Sequence, residues 1–212
     1  EATLGGTRLG RQELQGEFLE AEDGLLWTRA MLKAARADTP PADFGDIIVA
    51  VDPPVSVGDR ADACGLIAAG VSNASGGGAH FWVLEDATLQ GCSPAVWAEQ
   101  AARLAARTGA SRILAEANQG GELVRSVLRS TGSGLPIQLV HARLSKTARA
   151  APVIALYERG RVSHAGHFPD LEEEMLQFGT SIGGSPDRVD ALVWAVSALE
   201  AATGRQPRIQ TL

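Results

Sequence analysis

Apolar residues run unbroken from Ile47 to Val51 and stop at Asp52. A run of strand length without helical periodicity predicts a strand buried on both faces, here ending in an acid. Ala63–Val71 reads as a second strand and His80–Glu85 as a third. Pro53, Pro54 and Gly58 mark the first turn, and Ser72–Gly78 the second. Connections this short favour antiparallel hairpins. The rhythm then changes. Ser93-Pro94 predicts a helix start, with Ser as N-cap and Pro in the first position, and Trp97, Ala101, Leu104 and Ala105 continue it to Gly109. Arg112–Glu116 is a strand, again ending in an acid. Gly121–Ser130 is a helix, Pro136–Val140 a strand, and Lys146–Arg159 a helix closed by Gly160. Val162–His164 is a short edge strand, Leu171–Phe178 a short acidic helix, and Ser185–Glu200 the start of a last helix that ends near Gly204. Three hairpin-linked strands followed by alternating helix and strand predict an α/β fold. Its mixed sheet is an antiparallel three-strand meander continued by parallel strands, with helices on both faces.

The flanks differ from the centre. Residues 1–43 are polar with scattered apolar positions, hold one amphipathic helix within Leu25–Arg36, and end in the break Asp38-Thr-Pro-Pro41. They read as an arm that packs on a neighbour or joins the domain to something upstream. Residues 44–204 form the domain, and 205–212 a tail without periodicity. The first residues carry no signal-peptide pattern, no stretch is long enough to span a membrane, and no initiator Met is present, as in a fragment or a processed product.

At 212 residues and 45% hydrophobic content, the chain suits one sizeable domain with an appendage and excludes wholesale disorder. Two cysteines, Cys64 and Cys92, supply neither a disulfide framework nor a four-ligand zinc site, and are expected to be reduced in a cytoplasmic protein. The net charge of −6 argues against a stand-alone, high-affinity nucleic-acid binder.

The carboxylates carry the chemistry. Asp52 and Glu116 each end a strand, and strands one and four can be neighbours in such a sheet, with both acids at one edge. Asp187 and Asp190 lie three apart at the start of the last helix, nearly on one face. Each alone has an ordinary explanation: turn chemistry for Asp52, the helix dipole for Asp187, and an exposed helix face for Asp190. Glu at a strand end is harder to explain. Converging, such acids would repel one another unless hard cations intervened; Mg²⁺ and Mn²⁺ prefer these oxygen ligands. Two ions roughly 4 Å apart stabilise both the attacking and the leaving oxygen of a phosphoryl displacement. Asp62 and Asp59 lie near the same edge. Lys146, Arg149 and Arg143 supply cations beside it, able to hold a phosphate. Asn118 and Gln119 follow Glu116 in a loop, able to reach a nucleic-acid backbone.

Six segments in order, Val49-Ala-Val-Asp-Pro-Pro54, Asp62-Ala-Cys-Gly65, Leu84-Glu-Asp86, Glu116-Ala-Asn-Gln-Gly-Gly121, Lys146-Thr-Ala-Arg-Ala150 and Ser185-Pro-Asp-Arg-Val-Asp-Ala-Leu-Val-Trp-Ala195, resemble the nuclease domain of phage-type large terminases, of the prophage and gene-transfer-agent kind. The resemblance covers about residues 46–200. Leu9-Gly-Arg-Gln-Glu-Leu14 is similar to the family's linker between motor and nuclease. The resemblance implies a ribonuclease-H-like endonuclease that uses Mg²⁺ or Mn²⁺, two ions in all, to cut double-stranded DNA during genome packaging. It implies that Asp52 bridges the metals, Glu116 is the second acid, and Asp187 or Asp190 the third, with Asp62 accessory. The family often carries adjacent acids where this chain has Pro186-Asp187; Asp187 is favoured, with Asp190 supporting. Lys146 would be catalytic, and Lys146, Arg149, Arg143 and Asn118 would contact DNA. The implied partners are the terminase ATPase domain, the portal and the small terminase subunit, in the cytoplasm of a bacterial host. No phosphate loop is present, so the chain would be the C-terminal portion, binding DNA weakly by itself.

Other features point away from chemistry. His164 and His167 make no zinc motif, since nothing in the sequence sets both on one face. Gly76–Gly78 is no phosphate loop, and Ser72 and Ser75 sit in no nucleophile elbow. Trp97, Trp194 and Trp82 read as core residues rather than base-stacking platforms. Two other readings compete: a docking module for motor or portal with little activity alone, and another ribonuclease-H-like nuclease, a resolvase or a hybrid hydrolase.

Overall fold

The computed structural model describes residues 26–37, 39–54, 62–74, 77–118, 120–180 and 184–204. The expected positions Asp59 and Gln119, the linker-like segment 9–14 and the tail lie outside these. Six strands form one sheet: β1 (Asp46–Asp52), β2 (Gly65–Asn73), β3 (Ala79–Asp86), β4 (Arg112–Glu116), β5 (Ile137–Val140) and β6 (Val162–His164). Their order across the sheet is β5-β4-β1-β2-β3-β6. β1, β2 and β3 pair antiparallel, while β4 on β1, β5 on β4, and β6 on β3 are parallel. The meander and its parallel extension are therefore as the hydrophobic pattern predicts, and β6 is the edge strand beside β3.

Strand alternation divides the core into two layers. Val49, Val51, Leu66, Ala68, Ile113 and Ala115 pack beneath α2 (Pro94–Thr108) and α3 (Gly121–Ser130). Ile48, Ala50, Ile67, Ala69 and Leu114 pack on the other face. That face is covered by α1 (Arg29–Ala35), α4 (Lys146–Glu158), α5 (Pro169–Gln177) and α6 (Asp187–Thr203). The last helix is buried on nearly every side, because it lies across β1 and β2 with α4 and α5 against its flanks. Its start is seated on Gly65: a Cβ there would lie 2.0 Å from the Asp187 carbonyl oxygen, so only glycine admits the helix so close to the sheet.

The helix boundaries meet expectation in part. The arm helix, Arg29–Ala35, lies within the expected span, and Thr28 caps it by accepting from the Met31 N–H. Ser93 stands at the N-cap of α2 without a side-chain capping bond, so Pro94 carries that start. The last helix begins at Asp187 with Pro186, not Ser185, at its cap. Glu174 on α5 accepts from the Val189 N–H at 2.9 Å and does the capping from another element.

Candidate active site

The parallel ladder of β1 and β4 pairs Ile48 with Arg112 and Ala50 with Leu114. The same offset carries Asp52 beside Glu116. Each is two residues beyond a side chain of the α6-covered face, Ala50 and Leu114, so both acids point to that face. Above them, Asp187, Asp190 and Trp194 recur at helical spacing on α6. Lys146 and Arg149, three apart on α4, face them across the helix pair. Asp52, Asp62, Glu116, Asn118, Lys146, Ser185, Asp187 and Asp190 line one cleft of about 430 Å³, with Trp97 and Leu123 in its wall. Sheet register, one helix face and one facing helix thus bring together acids separated by more than half the chain.

Three donors hold Glu116. Asn118 Nδ2 donates to Oε1, while Arg149 Nη1, at 3.1 Å, and Trp194 Nε1 donate to Oε2. Arg149 Nη2 donates to Asp190 Oδ1 at 3.1 Å, and its guanidinium stacks 4.7 Å from the centre of the Trp194 ring. Lys146 Nζ is paired with the buried Asp190 Oδ2 at 2.5 Å. Ser185 Oγ donates to Asp187 Oδ1. The described residues form no hydrogen bond to the Asp52 carboxylate.

Negative charge is in excess here. Burial, and then repulsion from Glu116, Asp190 and Asp187, push the Asp52 carboxyl up to about 8, with Lys146 opposing. Burial also raises Asp187, against its bond from Ser185, and Asp62 adds repulsion. Asp190 is raised by burial despite Lys146 and Arg149. For Lys146, burial works downward, but Asp190, Asp52 and Asp187 raise it on balance. Among the described residues, no three His, Cys, Asp or Glu side chains stand close enough together to be a ready-made metal cage. Lys146 and Arg149 occupy the space between the acids instead.

Several sequence expectations change. Asp190 is not on an exposed face: it is 1% exposed, because α4 covers that side of α6. Trp194 is not simply core, since its indole N–H reaches Glu116; its spacing of four from Asp190 is the signal that would have found it. Arg149 is aimed inward, with both terminal nitrogens on carboxylates, rather than outward to a nucleic acid. Asn118 bridges Glu116 and the Ala142 N–H. Arg143 is exposed in the loop before α4, without an ion pair among the described residues. Asp62 is exposed at the cleft rim. Trp97 is buried core, whereas Trp82 is half-buried and donates to Ser72 Oγ. His164 and His167 do come together: Nδ1 of one and Nε2 of the other lie 3.3 and 3.6 Å from the Glu172 carboxylate. Cys64 and Cys92 are free thiols.

A family model described as the terminase RNaseH-like domain matches residues 49–199. The nuclease domain of the large terminase subunit gp2 of bacterial virus Sf6 has a similar fold, with TM-score 0.57 and 18% identity over 80% of this chain and 96% of that one. Structures of a mutant of that domain carry calcium in one case and manganese in another. The large terminase nuclease of thermophilic phage G20c aligns with TM-score 0.53 and 14% identity, over 74% of this chain and 83% of its own. The large terminase of another thermophilic bacteriophage aligns with TM-score 0.58 and 10% identity, over 82% of this chain and 43% of its own length. No curated protein sequence matches this chain significantly.

Proposed function

The chain belongs to the terminase RNaseH-like domain family, and from that membership we propose that it is a divalent-metal-dependent endonuclease that cuts double-stranded DNA during viral-type genome packaging. One observation carries the reading. The β1–β4 register sets Asp52 beside Glu116 beneath the first turn of α6, where Asp187 and Asp190 add two more carboxylates to one cleft.

The donor set fits hard cations. The Asp52 carboxylate is open among the described residues, whereas Asp187 is held by Ser185 and the Ala63 N–H, and Asp190 by Lys146 and Arg149. Calcium and manganese in the Sf6 relative support a divalent cation as the cofactor here, and we take it to be Mg²⁺ or Mn²⁺, two ions for the four carboxylates. Such ions, when bound, supply an activated water and charge stabilisation at the phosphate. Asp52 and Asp187 would hold them, with Glu116 offering its remaining lone pair and Asp62 acting from the rim through solvent. We assign Asp187 as the third acid and Asp190 as the anchor for Lys146 and Arg149. Relocating Lys146 from Asp190 toward a scissile phosphate would free the Asp190 oxygen and place a cation on the substrate. Arg143 and Asn118 would steady the DNA backbone without reading sequence.

A chain of net charge −6 would hold DNA weakly. Delivery would fall to the terminase ATPase domain, the portal and the small terminase subunit, in the cytoplasm of a bacterial host. Among the described residues, no helix is long and apolar enough to cross a membrane. The test is plasmid nicking and linearisation in Mn²⁺, in Mg²⁺ and in EDTA, beside Asp52→Ala. Metal-dependent cutting lost in the variant supports the reading. Cutting that survives Asp52→Ala overturns it, and no cutting in either metal favours a docking role.

A further inference from the structure

We propose that Trp194 and Arg149 form a positioning pair that fixes Glu116 for cation binding, an inference that rests on the metal-nuclease reading of the same cleft. Glu116 is the last residue of β4 and half-buried, so nothing in the strand itself selects its side-chain orientation. The selection comes from α4 and α6. Trp194 Nε1 and Arg149 Nη1 both donate to Oε2, while the Arg149 side chain, 9% exposed, is clamped between Glu116 and Asp190 and stacked on the indole. Arg149 Nε is buried without a hydrogen-bond partner. A guanidinium tolerates that loss only where carboxylates compensate on its other nitrogens. Glu116 is thus tied to Asp190 by a fork that passes over Trp194.

The arrangement has a directional consequence. With Oε2 receiving two donors and Oε1 one from Asn118, a single lone pair of Glu116 stays open. It is held in a set direction. Partners that orient a metal-binding carboxylate in this way change affinity by about 10–100-fold when removed. Trp194→Phe keeps an aromatic face beside Arg149 and deletes the N–H donor together with the five-membered ring. Arg149→Lys keeps the charge and loses the fork.

The experiment uses the full chain in two readouts. In isotope-labelled protein, the Trp194 indole N–H resonance is identified by its absence from Trp194→Phe. It is expected to shift in Glu116→Gln and again on addition of Mg²⁺. By calorimetry, Mg²⁺ is expected to bind Trp194→Phe and Arg149→Lys about tenfold more weakly than the unaltered chain, with both variants still unfolding cooperatively above the temperature of the titration. An indole resonance indifferent to Glu116→Gln overturns the pairing whatever the metal does. Unchanged Mg²⁺ affinity in Trp194→Phe also overturns it, and the nuclease reading then stands provided that Asp52→Ala abolishes Mg²⁺ binding. If Asp52→Ala binds Mg²⁺ like the unaltered chain, the metal site falls and the pairing falls with it.

Discussion

Two buried charge clusters share one face of the sheet and are balanced in opposite ways. At the edge formed by β3 and β6, the single Glu172 carboxylate receives Arg36, His164 and His167, and His164 is bonded in turn to the Tyr157 hydroxyl at 2.8 Å. Burial alone would raise Glu172, but the bonds from His164 and Arg36 outweigh it and hold the group at about 2. At the β1–β4 edge, four carboxylates face two cations, and Asp52 is driven up to about 8. The first cluster is satisfied, and its role is to fasten the arm residue Arg36 and β6 to α5. The second is left with a deficit of positive charge, the imbalance on which the proposed cation binding rests.

The sharpest way to break that contrast is Asp52→Ala, which should reduce metal-dependent cutting to the level of the EDTA control in a plasmid assay. The companion Asp52→Asn should stabilise the metal-free chain. A carboxyl raised to about 8 contributes stability that is complete below its unfolded value of 3.8 and lost as pH rises toward 8. Removing the charge should therefore gain on the order of 1–3 kcal/mol in urea unfolding above pH 8. Asp187→Asn should approach Asp52→Ala in loss of cutting, whereas Asp190→Asn should also loosen Lys146 and Arg149 and lower the melting point.

Gly65→Ala comes next. Its methyl would meet the Asp187 carbonyl at 2.0 Å and lift the start of α6 off the sheet. About 1–3 kcal/mol of stability should be lost by overpacking, with cutting falling further than stability because Asp187 and Asp190 move together. Denaturant unfolding and nicking rate, measured on one preparation, separate the two effects.

The satisfied cluster predicts the opposite pH behaviour. Glu172→Gln should cost about 2 kcal/mol by stranding the buried His164, without altering metal affinity at the distant cleft. A carboxyl held near 2 gives stability that is present above its unfolded value of 4.5 and lost as pH falls from there toward 2. Glu172→Gln should therefore flatten the acid limb of a pH–stability curve.

The smallest effect is at Glu174. Burial raises it to about 7, with the Val189 N–H and Arg188 opposing and Asp187 adding repulsion. Its contribution is complete below 4.5 and fades as pH approaches 7. Glu174→Gln keeps the acceptor for Val189, loses the charge beside Asp187, and should stabilise by under about 1 kcal/mol above pH 7. A destabilised variant would show that its ion pair with Arg188 dominates.

Periodicity and punctuation in the sequence determined most of the fold. A five-residue apolar run rich in β-branched residues, bounded by turn residues, reads as a strand covered on both faces, and proline and glycine placed the turns around it. These are local properties of the chain. They also placed an acid at the end of β1 and of β4, and two more in the first turn of α6. The tertiary structure decided what no local pattern encodes. The ladder offset set Asp52 against Glu116, the burial of α6 turned Asp190 from a surface acid into an anchor, and the seat on Gly65 fixed the height of the helix over the sheet. It also turned Arg149 inward and made Trp194 a donor to a strand it is nowhere near in sequence. Hydrogen bonds and charge repulsion act over a few ångströms in space, whatever the separation along the chain. The residue types were therefore legible in advance, and their pairing was fixed only when the sheet register and the α4–α6 contact brought them together.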